Sequence, residues 1–182
     1  MDTTLQFAVL SNHIDRSIEL ANRTGGNSYI DQRSDQDKLP FRALTICVSD
    51  DVRELERNAD AGLYLVAVRT VKPGQANVFG LFPLVHHPEK SHAVCDGHWR
   101  DVHGPLALEH HAHMTHYMQL SVVQRIMGRS IHGFAMCGFN TVEDLRDRFY
   151  TAPASEQVIA DDIANFADLK RSPRGLIATP AR

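Results

Sequence analysis

The chain has 182 residues, 43% of them hydrophobic and 23% charged, and a net charge of −3 when its 11 histidines are neutral. That length supports one domain, or two small fused halves, with a core of its own, and the slightly acidic balance gives no electrostatic reason to expect nucleic acid. Three cysteines without a CxxC pair, Cys47, Cys95 and Cys137, read as free thiols of a reducing compartment; with no secretory pattern at the start and no apolar run near the roughly twenty residues of a membrane span, a cytoplasmic protein with no membrane contact is expected.

In chain order, residues 4–22 read as a helix, because Phe7, Leu10, Ile14, Ile18 and Ala21 recur at helical spacing; Gly25-Gly26 ends it. A short strand is expected near 28–31, then an exposed polar loop to Pro40. Residues 41–48 read as a strand, Ser49-Asp50-Asp51 as the cap of a helix over 52–59, and the apolar, β-branched run 62–71 as a strand. The turn Lys72-Pro73-Gly74 is a candidate boundary between halves at 1–75 and 76–182. A strand over 77–85 follows, with Pro83 marking an edge or an end. Next comes a helix over 91–111, which Pro105 should break or kink one turn back, driving Gly104 off helical angles. In the strand over 116–126, alternation puts Tyr117, Gln119, Ser121, Val123 and Arg125 on one face and Met118, Leu120 and Val122 on the other. A strand over 131–139, helices over 141–150 and 153–166, and a strand over 175–179 complete the chain.

An internal echo falls at an offset of 90 residues: Cys47 on Cys137, Val52 on Val142, Leu55 on Leu145, and 4–22 on 94–112, with His13 on His103. The second half reads β-α-β-β-α-β. The first lacks a clear opening strand and reads as a truncated, degenerate copy. Two such units would each present a sheet with helices on one face, and packing the bare faces together would leave a cavity between the sheets.

Reactive side chains concentrate between His98 and Tyr117. At helical spacing Trp99, His103, Leu106 and His110 form one stripe. His103 is expected at the kink, near carbonyls freed by Pro105, where the negative end of a helix segment favours a charged imidazole; a buried histidine tuned near neutrality suits a general base or acid. The competing reading is a core histidine satisfied by one of those carbonyls. Tyr117 could donate to a developing oxyanion, or be an ordinary strand aromatic. Gln119 and Ser121 share its face and need partners, water or a ligand. His110, His113 and His116 give two HxxH spacings that could hold a metal, but the pairs lack the i, i+4 spacing of zincins and an evident acidic ligand. Solvated histidines at a helix end are the favoured account, and no metal is expected.

The run Trp99, His103, Pro105, Leu106, followed by Tyr117 and Gln119 and later by Asp162 and Phe166, resembles the EthD-like family of dimeric α+β barrel proteins over about 77–180. Cys95 stands where that family usually has Phe, Phe149 where Trp is frequent, and the histidine-rich joint is unusual. The resemblance implies ferredoxin-like βαββαβ units whose antiparallel sheets pair into an α+β barrel, by homodimerisation or between tandem halves, and a site in the sheet–helix cavity. Relatives in the wider superfamily include cofactor-free cyclases, dehydratases, lactone isomerases and quinone-forming monooxygenases; others bind haem.

Residues and resemblance together give an α+β protein and a cofactor-independent enzyme. It would carry out a lyase, isomerase or cyclase-type proton transfer on a small hydrophobic aromatic, lactone or polyketide-like molecule. His103 and Tyr117 are the catalytic candidates; Trp99, His110, Gln119, Ser121 and Phe139 are expected to shape the pocket, and a homodimer is the expected assembly. The alternatives are a non-catalytic ligand-binding or accessory protein, and a haem protein with His103 or His110 as ligand.

Overall fold

The computed structural model describes residues 3–31, 33 and 39–181; most of the loop expected before Pro40 lies outside them. Eight strands and six helices follow in the order β1 (Thr3–Ser11), α1 (Ile14–Thr24), β2 (Asn27–Asp31), β3 (Ala43–Cys47), α2 (Val52–Asn58), β4 (Gly62–Lys72), β5 (Val78–Leu84), α3 (His92–His98), a π-helical turn (Trp99–His103), α4 (Gly104–His110), β6 (His116–Gly128), β7 (Gly133–Phe139), α5 (Val142–Asp147), α6 (Pro153–Ile163) and β8 (Leu176–Ala181). All strand pairs are antiparallel, and the order β1-β3-β2-β8-β5-β7-β6-β4 closes into a barrel.

The first half is not truncated. The expected helix over 4–22 is two elements, a strand to Ser11 and a helix from Ile14. Leu5 to Leu10 (LQFAVL) pairs with β3 on one side and β4 on the other. Its apolar residues happen to continue the stripe of α1, so two elements mimic one helical period. Each half therefore contributes four strands, β4-β1-β3-β2 and β8-β5-β7-β6, and the seams β2–β8 and β4–β6 join them. The barrel closes within one chain, so closure requires no second copy. The 90-residue echo holds for β3 and β7 and for the capped helices after them: Asp51 caps α2 through the Glu54 amide and Thr141 caps α5 through the Asp144 amide. It fails for 4–22 on 94–112, which lays β1 on α3 rather than on β5.

Strand alternation sorts the core into layers. One face of every strand turns into the barrel, where Leu10, Leu44, Tyr64, Val66, Leu120 and Phe134 belong to one buried cluster. That hydrocarbon packs the space between the sheets where a cavity was expected. The outer faces carry helices: α1 and α2 cover Val9, Cys47 and Leu63, and the helices of the second half cover Tyr117, Ala135 and Cys137. Tyr117, Gln119 and Ser121 do share a face, as alternation requires, but it faces the helix layer. Pro83 lies beyond Leu81, where β8 stops pairing with β5, so its missing N–H costs no ladder bond on that side.

Candidate functional site

The helix after β5 passes Pro105 without breaking. Gly104 keeps helical angles (φ −55°, ψ −57°), and its N–H donates to the carbonyl of Trp99, five residues back. Pro105 then stands in the first turn of α4, where a missing N–H is tolerated. The proline is thus accommodated by a π turn rather than by a kink. A π turn holds one residue more than an α turn, and that changes which side chains share a face. The inward stripe runs Trp99, His103, Ala107, His111, all buried, whereas Leu106 and His110 are only half-buried. The Trp99 ring packs against Gly133 of β7, where a Cβ would stand 2.6 Å from it. Only glycine allows that approach.

Between these helices and the outer face of β5, β6 and β7 is a cavity of about 240 Å³. Its wall is mostly hydrocarbon and aromatic, including Phe82, Leu84, Phe149, Ile163 and Phe166, with His103, His111 and Tyr117 among its polar side chains. The cavity lies between sheet and helices, not between the two sheets.

His103 is 7% exposed, and its Nδ1 lies 2.7 Å from Oδ2 of Asp162. The other carboxylate oxygen is 2.7 Å from Nε2 of His98. A carboxylate only accepts, so Nδ1 of His103 carries the proton and Nε2 is left as a bare acceptor. The competing reading gave His103 a freed carbonyl as its partner; the partner is Asp162 of α6, which His98 shares. Burial lowers the pKa of His103, and the Asp162 bond opposes that only in part. The imidazole is therefore neutral near pH 7, not held charged by a helix end.

Tyr117 sits at the end of a buried polar chain. Its hydroxyl oxygen accepts from Trp99 Nε1 at 3.2 Å and from Gln119 Nε2 at 3.3 Å. Gln119, 0% exposed, also donates to the Trp99 carbonyl at 2.8 Å and accepts from Arg69 Nη1 at 3.4 Å through Oε1. Arg69 pairs with Asp96 and lies 5.7 Å over the Trp99 ring. Burial opposes the charge of Asp96, yet bonds from Ser121 and Arg69 hold its carboxyl below the usual range. With two donors on its oxygen, Tyr117 keeps its own proton free to donate. Burial raises its pKa strongly, so it stays a phenol. No hydrogen bond joins His103 to Tyr117 among the described residues; they share the cavity wall.

The sequence candidates thus divide. His103, Tyr117 and Trp99 line the cavity. Gln119 and Ser121 stand behind it as supports. Phe139 packs behind Phe149, ring centroids 5.6 Å apart. His110 turns away and bonds Ser155 Oγ at 2.9 Å. His111 takes the place expected for His110: it is 3% exposed, and its Nδ1 donates to the Phe149 carbonyl at 2.7 Å. Burial lowers its pKa too. The HxxH histidines disperse, with His113 exposed and His116 in β6 against Phe79, and among the described residues no three or more His, Cys, Asp or Glu side chains are gathered for a metal. Arg69 and Asp96 were missed because nothing local ties residue 69 to residue 96.

No family model matches the sequence, and no curated protein does. Solved structures do match. An anthrone oxidase-like protein superposes with a TM-score of 0.60 at 9% identity, covering 99% of this chain and 91% of its own. A protein from Lactobacillus acidophilus NCFM, provisionally described as a monooxygenase, gives a TM-score of 0.55 at 11% identity, covering 99% of this chain and 94% of its own. The chain shares its fold, a closed antiparallel barrel with helices packed outside it, with these two structures. At such identities the likeness is one of fold, and the α+β barrel here is built from tandem halves of one chain. No helix among the described residues is long and apolar enough to cross a membrane.

Proposed function

We propose that this α+β barrel protein is a small enzyme that moves a proton next to a carbonyl on an apolar, aromatic or cyclic molecule held in the sheet–helix cavity. The observation that carries this reading is the Asp162–His103 pair: the bond to Asp162 leaves Nε2 of His103 without a proton, and His103 and Tyr117 line the same apolar cavity. His103 takes a proton from the carbon beside the carbonyl, and the C–H electron pair passes into the enolate. The enolate oxygen receives the Tyr117 hydrogen bond, a donor that gains strength in a dry site. Asp162 balances the imidazolium that forms and keeps the ring in its Nδ1–H tautomer. Return of the proton at another carbon gives an isomerase; expulsion of a leaving group gives a lyase.

A second reading is favoured by the descriptions of the two solved structures. There the same carbanion meets dioxygen, so that a CH₂ group becomes a carbonyl, one oxygen atom is retained and the other leaves as water. Oxygen uptake separates the two.

The test uses 7-hydroxy-1-tetralone, an aromatic ketone with exchangeable protons beside its carbonyl, in D₂O. Wild-type protein should accelerate deuterium entry at that carbon, and His103→Ala should lower the rate about 10²-fold or more while leaving binding intact. Binding without exchange in the wild type would leave a ligand-binding protein, and exchange untouched by His103→Ala would remove the proposed base.

A further inference from the structure

The cavity holds a second imidazole that the proton transfer does not use. His111 donates from Nδ1 to the Phe149 carbonyl, and a carbonyl cannot return a proton, so Nε2 is a bare acceptor. His111 is itself one of the residues that line the cavity, and it is 3% exposed, so this nitrogen belongs to a buried side chain of the cavity wall. The ring packs against those of Phe149 and Tyr150, with centroids 4.4 Å and 5.3 Å away. Its difference from His103 is chemical. His103 has a carboxylate behind it that stabilises a captured proton. His111 has a neutral carbonyl, with burial and the nearby His103 both disfavouring charge. It is built to accept a hydrogen bond, not to keep a proton. Among the described residues no lysine, arginine, aspartate or glutamate lines the cavity, so no permanently charged side chain there compensates an ionised ligand.

We propose that His111 is the specificity-determining residue of this cavity: its Nε2 accepts a hydrogen bond from a hydroxyl of the ligand, and the ligands taken are neutral aromatic ketones carrying a free hydroxyl. This rests on the proton-transfer reading for the carbonyl that meets Tyr117, and it adds a second anchor. A ligand without the donor leaves a buried acceptor unpaired and binds more weakly by roughly tenfold to a hundredfold. A carboxylate-bearing analogue loses its hydration with no cation to meet it.

Trp99, the one tryptophan of the chain, lines the cavity, so its fluorescence reports occupancy, with calorimetry as an independent readout. The probes are 7-hydroxy-1-tetralone, 7-methoxy-1-tetralone and a tetralone carboxylate. Wild-type protein should prefer the hydroxy ketone over the methoxy ketone by at least tenfold and exclude the carboxylate. His111→Phe, which keeps the aromatic packing, should bind both ketones alike. His111→Gln, whose amide can still donate to Phe149 and accept from the ligand, should keep part of the preference. Equal wild-type affinities, no binding of either ketone, or a preference that survives His111→Phe would each overturn the proposal; the wild-type comparison decides even where a variant does not fold. Deuterium exchange reports separately. Selective binding without exchange removes the catalytic reading and leaves His111 as the selector; exchange without selectivity does the reverse.

Discussion

Two histidines in one cavity differ because of what stands behind each ring. Asp162 bonds His103 and His98 with its two oxygens; on the proposed reading it would orient the base and meet the charge that base acquires. Asp162→Asn can present an amide N–H to His103 and force the opposite tautomer, with the proton on the nitrogen that faces the substrate. Exchange of the tetralone α-proton should then fall by roughly 10² or more, with the affinity for the ketone nearly unchanged; a rate within threefold of wild type would mean that Asp162 only packs. Cys137 also lines the cavity but carries no such promise, since burial pushes its thiol up to about 12.

At the scale of elements, the π turn decides the site. The 3.6-residue stripe read from the sequence is right at Trp99 and His103 and fails afterwards, because one extra residue in the turn delays the face by one position and substitutes His111 for His110. Proline at 105 was the available sign, but a proline announces a disturbed hydrogen bond without saying whether a kink or a π turn absorbs it. The alternation of β6 was legible because a strand's period is fixed by its pleat. Which layer its polar face meets was not, because that depends on strand order. The support of Trp99 by Gly133 makes a prediction of its own: Gly133→Ala puts a methyl group into the indole ring and should cost about 1–3 kcal/mol in denaturant unfolding, with a shifted Trp99 emission. An unchanged stability and spectrum would show that the indole does not lie on β7.

For the whole molecule, closure of both seams within one chain makes the two helix layers inequivalent. The first half fills its layer with Val9, Leu20, Cys47, Leu55 and Leu63, while the second keeps a hollow. Matched strand–helix pairs recur at an offset of 90 residues, β3 with α2 and β7 with α5. The opening strand of the first half was hidden because β1 and α1 share one apolar phase. Acid should test how the second half is held together. His86 is buried with both ring nitrogens unpaired, its ring 4.8 Å from that of His92 and 4.9 Å from that of His132. Burial first, then these two imidazoles, lower its pKa from 6.5 to about 4, against the attraction of Asp96, while Arg125 and Arg171 press on His132. His103, His111, His116 and His132 shift the same way. A base with a depressed pKa in the folded state leaves the unfolded chain binding more protons below about 6.5. Stability from these groups is therefore whole above that pH and is lost as pH falls toward 4. Urea midpoints should be flat from pH 7 to 8 and drop between 6.5 and 4, less steeply in His86→Phe; a midpoint that rises on acidification would contradict the burial of neutral imidazoles.

The central claim is that His103 presents a bare, neutral Nε2 to the cavity with Asp162 behind it, and nitrogen NMR of the histidine side chains reads this directly. At pH 7 His103 should show a protonated Nδ1 and an unprotonated Nε2, and the Nε2 signal should move when 7-hydroxy-1-tetralone is added. An imidazolium at that pH, a proton on Nε2, or a signal indifferent to the ketone would contradict it.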